Sequence, residues 1–342
     1  MAKHPRGAAK LPHRTATGIA VPSALSPGAS IDAHCTEGGA QTNQDAQRCG
    51  FIALIGAPNV GKSTLLNALV GSKVAIVSHK VQTTRSLLRG IAIAGNSQLI
   101  FMDTPGIFAP RRRLDRAMVT SAWAGAHDAD LVGVILDAKR GMDAEASAVL
   151  EKVADVRSPK ILLINKVDLV EKQSLLEQAR DANKRAGFAA TFMVSALTGD
   201  GVADVKNSLA GHMPQVPWHY PEDQITDAPL RQLAAEITRE QVYLRLHQEL
   251  PYQSTVETDQ WQERRDGSIR IEQTIYVERE SQRKIVLGKA GQTIKVIGKD
   301  ARSAISLMVE APVHLFLFVK VRERWDDDRE RYRAIGLEFP KE

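Results

Sequence analysis

Short apolar runs alternate with helical patterns along the chain from residue 51 onward. The apolar runs lie at 51–55, 98–102, 131–136, 160–164 and 191–194. Between most of them, apolar residues recur at helical spacing, for example at 62–70, 114–126 and 144–153. Strands that are apolar on both faces need a helical layer on each side. The pattern therefore predicts an α/β domain over residues 50–213, with helices on both faces of a mostly parallel sheet.

One connection departs from this alternation. Gly95, Asn96 and Ser97 form a turn-favouring triplet between apolar stretches at 90–94 and 98–102. Two such stretches joined by a short turn are predicted to pair as an antiparallel hairpin.

A second pattern begins after a proline-rich segment at 214–229, which is predicted to be a linker because proline stiffens the chain and ends helices. Beyond it we predict a helix at 230–248 and strands at 253–260 and 269–277, joined around the turn signal Asp266-Gly267. A strand at 283–287, a helix from about residue 291 and a strand at 313–320 follow. Residues 230–342 are therefore predicted to form a small α+β domain.

Residues 1–49 show no sustained period and are rich in Ala, Gly, Pro, Ser and Thr, which predicts a disordered extension. The first 31 residues carry Lys3, Arg6, Lys10 and Arg14 but no acidic residue, a composition that also fits a transit peptide. Sparse arginine favours the extension, and both interpretations stay open.

Composition excludes some classes of protein. No apolar run approaches the roughly 18 residues that cross a bilayer, so no transmembrane segment is predicted. Cys35 and Cys49 are the only cysteines, so a disulfide framework is not needed, which fits a reducing compartment. Both are predicted to be incidental residues of the N-terminal extension. The net charge of +5 mildly favours an anionic partner.

Residues 56–63 read Gly-Ala-Pro-Asn-Val-Gly-Lys-Ser and match the phosphate-binding pattern G-x-x-x-x-G-K-[ST]. They follow a predicted strand and open a predicted helix, so backbone N–H groups and the helix N-terminus would meet phosphate oxygens. Lys62 is predicted to bridge the β- and γ-phosphates and Ser63 to hold Mg²⁺. The predicted phosphate-binding residues are Gly56, Ala57, Pro58, Asn59, Val60, Gly61, Lys62, Ser63, Thr64 and Gly106.

Two later motifs complete a guanine-nucleotide site. Asp103-Thr104-Pro105-Gly106 ends a strand, where Asp103 would hold Mg²⁺ indirectly and the Gly106 N–H would sense the γ-phosphate. Asn165-Lys166-Val167-Asp168 follows a buried strand, and the Asp168 carboxylate can accept two hydrogen bonds from guanine but not from adenine. We expect Asn165 to tie the base to the phosphate loop, the Lys166 stem to lie along the base, and Ser195 to steady Asp168. Ala196, followed by Leu197, would present its N–H to the guanine carbonyl.

In this order, the motifs at residues 50–220 resemble the P-loop GTPases of the translation-factor-related class. The resemblance implies a switch region at Gln82-Thr83-Thr84-Arg85, with one threonine reaching Mg²⁺. Thr84 is favoured and Thr83 stays open. Ile107 stands where Ras-like enzymes carry a water-orienting Gln, which predicts slow intrinsic hydrolysis. In related GTPases an Asn at the position of Asn59 helps to hold K⁺. Shaping of the loop by Asn59 is the equal alternative.

A loop of the type Gly-x-x-Gly lies at Gly288, Lys289, Ala290 and Gly291, between a predicted strand and a predicted helix. Such a loop clamps single-stranded RNA in KH domains. Residues 279–302 carry seven basic and two acidic residues, which concentrates positive charge around this loop. The predicted RNA-binding residues are Gly288, Lys289, Ala290, Gly291, Arg283, Lys284 and Lys295.

A GTPase domain followed by a type II KH domain resembles the Era family over residues 50–340. That resemblance implies a cytoplasmic GTPase that binds 16S rRNA near its 3′ end, assists maturation of the 30S subunit and associates peripherally with the inner face of the cell membrane. A monomer is the default expectation. Two rivals remain: a GTPase acting on tRNA, and an RNA-binding scaffold that holds GTP without hydrolysing it.

Overall fold

The structure is a computed structural model that describes residues 46–78, 88–108, 110, 112–246, 250–323, 329, 332 and 337–339. The strands of its first sheet are β1 (Arg48–Ile55), β2 (Leu88–Ala94), β3 (Ser97–Asp103), β4 (Leu131–Asp137), β5 (Lys160–Asn165) and β6 (Ala190–Val194). The helices that connect or follow them are α1 (Lys62–Val70), α2 (Arg113–Asp128), α3 (Ala144–Ala154), α4 (Lys172–Ala186) and α5 (Val202–His212).

The six strands lie in the order β2-β3-β1-β4-β5-β6. Every neighbouring pair is parallel except β2 and β3, which form the antiparallel hairpin predicted from the turn at 95–97. Buried residues of α1 and α5 pack on one face, and those of α2, α3 and α4 pack on the other. The predicted sheet between two helical layers is confirmed. Because the parallel strands point the same way, the loops after β1, β3, β4, β5 and β6 meet at one edge.

The second sheet contains three strands, β7 (Ser254–Glu263), β8 (Ile269–Val277) and β9 (Val313–Val321), with β8 in the centre. β8 is antiparallel to β7 and parallel to β9. Three helices accompany them: α6 (Leu230–Arg245), α7 (Glu280–Leu287) and α8 (Gln292–Val309). Val256, Ile275 and Ile297 belong to the shared apolar core. The α+β organisation agrees with the prediction.

The predicted strand at 283–287 is wrong, because these residues belong to helix α7. Their run of apolar side chains is only three residues long, and such a run does not separate a strand from a helix. Val286 is fully buried whereas Ile285 is 57% exposed, so only one side of the run faces the core. Gln282 caps the helix through its side chain, which accepts from the backbone N–H groups of Glu278 and Arg279. The observed order is therefore α-β-β-α-α-β.

The prediction that Cys49 belongs to an unstructured extension is wrong. Cys49 is a residue of β1, where it is 1% exposed, and its Sγ lies 3.5 Å from Gln98 Oε1. Burial raises the pKa of its thiol. Cys35 and the basic residues of the extension lie outside the described residues.

The linker contacts the edge strand β2 directly. The backbone N–H of Ile91 donates to the carbonyl of Ile225 at 2.8 Å, and Gly90 and Thr226 form an antiparallel bridge. Arg89 forms an ion pair with Asp227 at 2.8 Å. The linker is therefore anchored to the first sheet over residues 225–227.

Within the described residues, no helix combines the length and apolarity needed to cross a bilayer.

Candidate functional site

The loop between β1 and α1 borders a cavity of about 590 Å³. Gly61 caps α1 with a φ of +96°, and a Cβ at this position would stand 2.3 Å from Asn165 Nδ2. Only glycine fits there, both for its backbone angle and for the close approach. Asn59 also has a positive φ, 62°, and lines the cavity. The predicted phosphate loop is therefore a tight turn closed against the loop after β5.

Lys62 is buried beneath this loop and is 7% exposed. Its Nζ donates to the carbonyl oxygens of Gly56 at 3.1 Å and Ala57 at 2.8 Å. Burial lowers the pKa of Lys62 to about 8, although the negative charges of Asp103 and Glu145 oppose this shift. Burial disfavours the charged form of this ammonium group, so a negatively charged ligand beside it would be stabilising.

Two oxygen-bearing side chains that could serve a hard cation meet beside the cavity, which Ser63 lines. Ser63 Oγ donates to Asp103 Oδ2 at 3.0 Å, and Asp103 is fully buried. Such a pair of hydroxyl and carboxylate oxygens suits Mg²⁺ chemically. The predicted switch residues Gln82, Thr83, Thr84 and Arg85 lie outside the described residues, so the choice between the two threonines stays a prediction.

Gly106 and Ile107 follow β3 and lie against the phosphate loop. Ile107 N–H donates to the Gly56 carbonyl at 3.0 Å. Its side chain is 6% exposed and packs into the core between the sheet and α2, α3 and α4. Ile107 therefore supports the loop by packing and has no polar group to orient a water molecule.

Asn165 links the two ends of the cavity. Its Nδ2 donates to the Val60 carbonyl at 2.9 Å, and its Oδ1 accepts from the Ala196 N–H at 3.0 Å. Asn165 therefore joins the phosphate loop to the loop after β6, and its predicted role in tying the base to the phosphate loop stays a prediction. The Ala196 N–H already has a protein acceptor, so a guanine carbonyl would share that donor.

Lys166, Asp168 and two leucines surround the opposite end of the cavity. Lys166 Nζ donates to Asn59 O and to Asp137 Oδ2, both at 2.6 Å, so its stem crosses the cavity wall. The Asp168 side chain is exposed to the cavity. Leu169 and Leu197 also line it and are 53% and 81% exposed. Exposed apolar side chains beside a carboxylate suit a flat heterocyclic base.

Ser195 contacts its own loop and not Asp168. Its Oγ accepts from the Thr198 N–H at 3.2 Å, and its backbone N–H donates to the Asp200 carbonyl. No hydrogen bond between Ser195 and Asp168 occurs in the part of the chain that the structure describes. The side chain therefore shapes the loop that carries Ala196 and Leu197.

The Gly-x-x-Gly loop lies between α7 and α8. Gly288 has a φ of +73°, and a Cβ there would stand 2.1 Å from Thr293 Oγ1, whereas a Cβ at Gly291 would meet open space. Lys284, Lys289 and Lys295 are exposed, while Arg283 donates to Val319 O and pairs with Glu280. A neighbouring groove of about 540 Å³ is lined by Ile294, Lys295, Val296, Gly298, Lys299, Arg302, Leu315 and Leu317. An apolar floor with a basic rim suits single-stranded RNA.

Comparison with known proteins gives the same two parts. A family described as "50S ribosome-binding GTPase" matches residues 51–166, and the KH domain family matches residues 249–326. GTPase Era from Bradyrhizobium sp. (strain ORS 278) is 68% identical over 302 residues, covering 88% of this chain and 98% of that protein. GTPase Era from Brucella suis biovar 1 (strain 1330) is 62% identical over 302 residues, covering 88% and 97%.

The chain belongs to the Era family of GTPases.

Solved structures of Era-family proteins agree with this assignment. Era in complex with MgGDPNP and nucleotides 1506–1542 of 16S ribosomal RNA is 34% identical, with a TM-score of 0.80 over 85% of this chain and 99% of that one. A Tyr-to-Ala variant of Aquifex aeolicus Era bound to GDP·AlF4⁻ is 34% identical, with a TM-score of 0.79 and the same coverage. The chain is therefore a GTPase with a C-terminal KH domain, and it hydrolyses GTP.

Several residues of this Era-family cavity escaped the motif analysis. They are Ile76, Val77, Ser78, Asp137, Lys139 and Leu169. Asp137 ends β4, so its position at the carboxyl edge of a parallel strand was a signal that could have found it. Ile76, Val77 and Ser78 follow α1 without a motif, and only the folded chain brings them to the nucleotide cavity.

Proposed function

We propose that this GTPase is a switch that binds small-subunit (16S) rRNA near its 3′ end through the KH domain and assists maturation of the 30S subunit. The observation that carries the proposal is the presence, in one chain, of a cavity lined by residues of the guanine-nucleotide motifs and a basic groove beside a Gly-x-x-Gly loop. The likeness to an Era protein solved with 16S rRNA supports the choice of RNA. The matched family description names the 50S subunit, so the experiment below must distinguish the two subunits.

At the nucleotide site, Lys62 would leave the carbonyls of Gly56 and Ala57 to bind the β- and γ-phosphates. Ser63 would hold Mg²⁺ together with Thr84, or with Thr83 in its place, and Asp103 would hold the ion indirectly, so that the ion neutralises phosphate charge. The guanine base would lie between Leu169 and Leu197, and the Asp168 carboxylate would accept two hydrogen bonds from its N–H groups. These roles follow from the cavity lining and from the donor and acceptor chemistry of each group.

Hydrolysis would be slow without further help, because Ile107 is packed in the core. Asn59 lines the cavity and offers a side-chain oxygen, which suits the proposed K⁺. A comparison of GTP turnover in K⁺ and Na⁺ tests this part. Equal rates would leave Asn59 with a role in the shape of the loop only.

A pair of contacts supports communication between the nucleotide cavity and the KH domain. Glu240 of α6 is 4% exposed and accepts from the Val77 N–H at 2.9 Å, and its other oxygen pairs with Lys73. Val77 lines the nucleotide cavity. Nucleotide-dependent movement of this wall would therefore reach α6. RNA affinity would differ between the GTP and GDP states only if this contact, or one like it, differs between them.

The RNA target is tested by crosslinking the full chain, bound to a non-hydrolysable GTP analogue, in lysate and sequencing the recovered RNA. The loop variant is K289D/A290D, which keeps both glycines and places Asp at Ala290, where φ is 52° and Asp is tolerated. The control K172D/Q173D makes the same charge change at exposed positions beginning α4. We expect enrichment of the 16S rRNA 3′ end for the unmodified chain and the control, and loss for the loop variant.

Other outcomes assign the RNA differently. Recovery of 23S rRNA or tRNA would overturn the small-subunit role while the GTPase activity stands. Recovery of RNA equally with the loop variant would remove the Gly-x-x-Gly loop from the interface. A cytoplasmic monomer with peripheral membrane association is the remaining part of the proposal, and it rests on the family resemblance alone. Flotation with anionic vesicles and sedimentation of the free protein test it.

A further inference from the structure

Arg140 makes a contact with the phosphate loop that no nucleotide-binding motif describes. It follows β4, and its Nη1 donates to the carbonyl oxygen of Pro58 at 3.0 Å. Its Nη2 lies 2.6 Å from both Asp143 Oδ2 and Glu145 Oε2. The guanidinium is thus held on one side by two carboxylates and presents its other side to the phosphate loop.

Hydrogen bonds fix the turn that carries Arg140 and the start of α3 beside it. Asp137 accepts from the backbone N–H groups of Lys139, Arg140 and Gly141, which closes the turn after β4. Asp143 caps α3 by accepting from the Ala146 N–H at 2.8 Å. Hydrogen bonding to Glu145 contributes to a raised pKa of Arg140, so the side chain keeps its charge. A charged group held in this way can fix the orientation of a neighbouring dipole.

Planarity of the peptide links this contact to the cavity. The described part of the chain has no cis peptide bonds, so the Pro58 C=O and the Asn59 N–H point in opposite directions. The C=O is turned toward Arg140, and Asn59 lines the cavity. Lys166 holds the carbonyl of the next peptide in a similar way, because its Nζ donates to the Asn59 carbonyl oxygen. Two cations outside the loop therefore hold two successive carbonyls, a geometry that directs the following N–H groups inward.

We infer that Arg140 is a positioning residue for GTP hydrolysis, which holds the Pro58–Asn59 peptide so that the Asn59 N–H faces the nucleotide. This rests on the proposed phosphate site. The peptide lies at the end of the loop next to Gly106, since a Cβ on Gly106 would stand 3.1 Å from Pro58 Cα. Gly106 is the proposed γ-phosphate sensor, whereas Lys62 and Ser63 lie further along the loop. Loss of Arg140 therefore affects the reacting end of the nucleotide more than the part that GDP shares.

The test compares R140A and R140K with the unmodified full chain. Steady-state GTP hydrolysis gives kcat, and titration gives the Kd for GDP. We expect R140A to lower kcat about tenfold, because a preorganised donor at the reacting phosphate is misaligned. Its Kd for GDP should change less than about threefold, because the donors nearer Lys62 remain. R140K keeps one cationic donor and should recover part of kcat. R245A removes an exposed ion pair with Asp300, neither residue of which lines the cavity, and should match the unmodified protein.

Amide NMR distinguishes a positioning role of Arg140 from a general loss of stability. In the unmodified protein the Asn59 N–H resonance should shift downfield with a GTP analogue, and R140A should reduce that shift. Unchanged kcat in R140A would overturn the inference. So would parallel losses of kcat, GDP affinity and melting temperature without recovery in R140K, since these indicate a structural role. Failure of the unmodified chain to bind GDP would instead reject the proposed phosphate site.

Discussion

The side-chain amide of Asn165 donates to the main-chain carbonyl of Val60 across 2.9 Å, which joins the end of β5 to the loop between β1 and α1. The same side chain accepts from Ala196, so one buried residue holds three loops together. We therefore expect the affinity for nucleotide to depend on Asn165 through its contacts with these loops.

Replacing Asn165 with alanine should weaken GDP binding by about 10- to 100-fold, because two buried hydrogen bonds worth about 1–3 kcal/mol in total are lost. Isothermal titration measures this change. N183A is the control, since Asn183 also donates two hydrogen bonds, to Ala179 O and Thr191 Oγ1, but does not line the cavity. Equal losses of affinity in both variants would contradict the linking role of Asn165.

Asp168→Asn should weaken GDP binding at least about tenfold, because an amide in place of the carboxylate turns one acceptor into a donor facing guanine N–H groups. The same change should improve binding of xanthosine diphosphate, whose carbonyl can accept from that amide. Because Asp168 is exposed, the melting temperature of the variant should equal that of the unmodified protein. Titrations with GDP and with xanthosine diphosphate measure this change in base preference. D200N, an exposed substitution outside the cavity, is the matched control. Unaltered base preference in D168N would reject the guanine assignment.

Glu240→Ala should accelerate GDP release and lower the free energy of unfolding by about 1–3 kcal/mol, because the Val77 N–H loses its buried acceptor. Stopped-flow release of a fluorescent GDP measures the first effect, and denaturant titration measures the second. Glu240→Gln keeps an acceptor for Val77 and should behave more like the unmodified protein. Lys73 is half exposed, so K73M should change stability little. If K73M reproduced E240A, the ion pair would be the important contact instead.

Cys49 should resist alkylation in the folded protein, because it is buried and its thiol pKa is raised by burial. A C35S background leaves Cys49 as the single thiol. Iodoacetamide labelling at pH 8, followed by mass spectrometry, should be slow without denaturant and complete in guanidinium chloride. Rapid labelling of the native protein would place residue 49 outside the folded sheet.

Motif spacing and hydrophobic pattern predicted most of the elements around the nucleotide cavity. The strand before Gly56 and the helix from Lys62 to Val70 were both anticipated, because a continuous apolar run and a helical period are local features. The position of Asp168 at the cavity also followed from a local motif. These predictions needed no knowledge of long-range packing.

The remaining contacts could not be read from local pattern. Arg140 lies 82 positions from Pro58, and Glu240 lies 163 positions from Val77, so neither pair leaves a periodic signal. Helix α7 was misread because a three-residue apolar run suits either a strand or a helix. Its capping by Gln282 is visible only in the folded chain. The hydroxyl of Ser195 had several acceptors and donors within reach, and the sequence could not select among them.

The bridge between the linker and β2 has a practical consequence for dividing the chain. β2 is one of the two edge strands of the first sheet, and residues 225–226 satisfy part of its free backbone edge. A nucleotide-binding fragment ending at residue 213 would leave that edge open to strands of other molecules, which is a route to self-association. A fragment extended through Asp227 would keep the edge covered and retain the ion pair with Arg89.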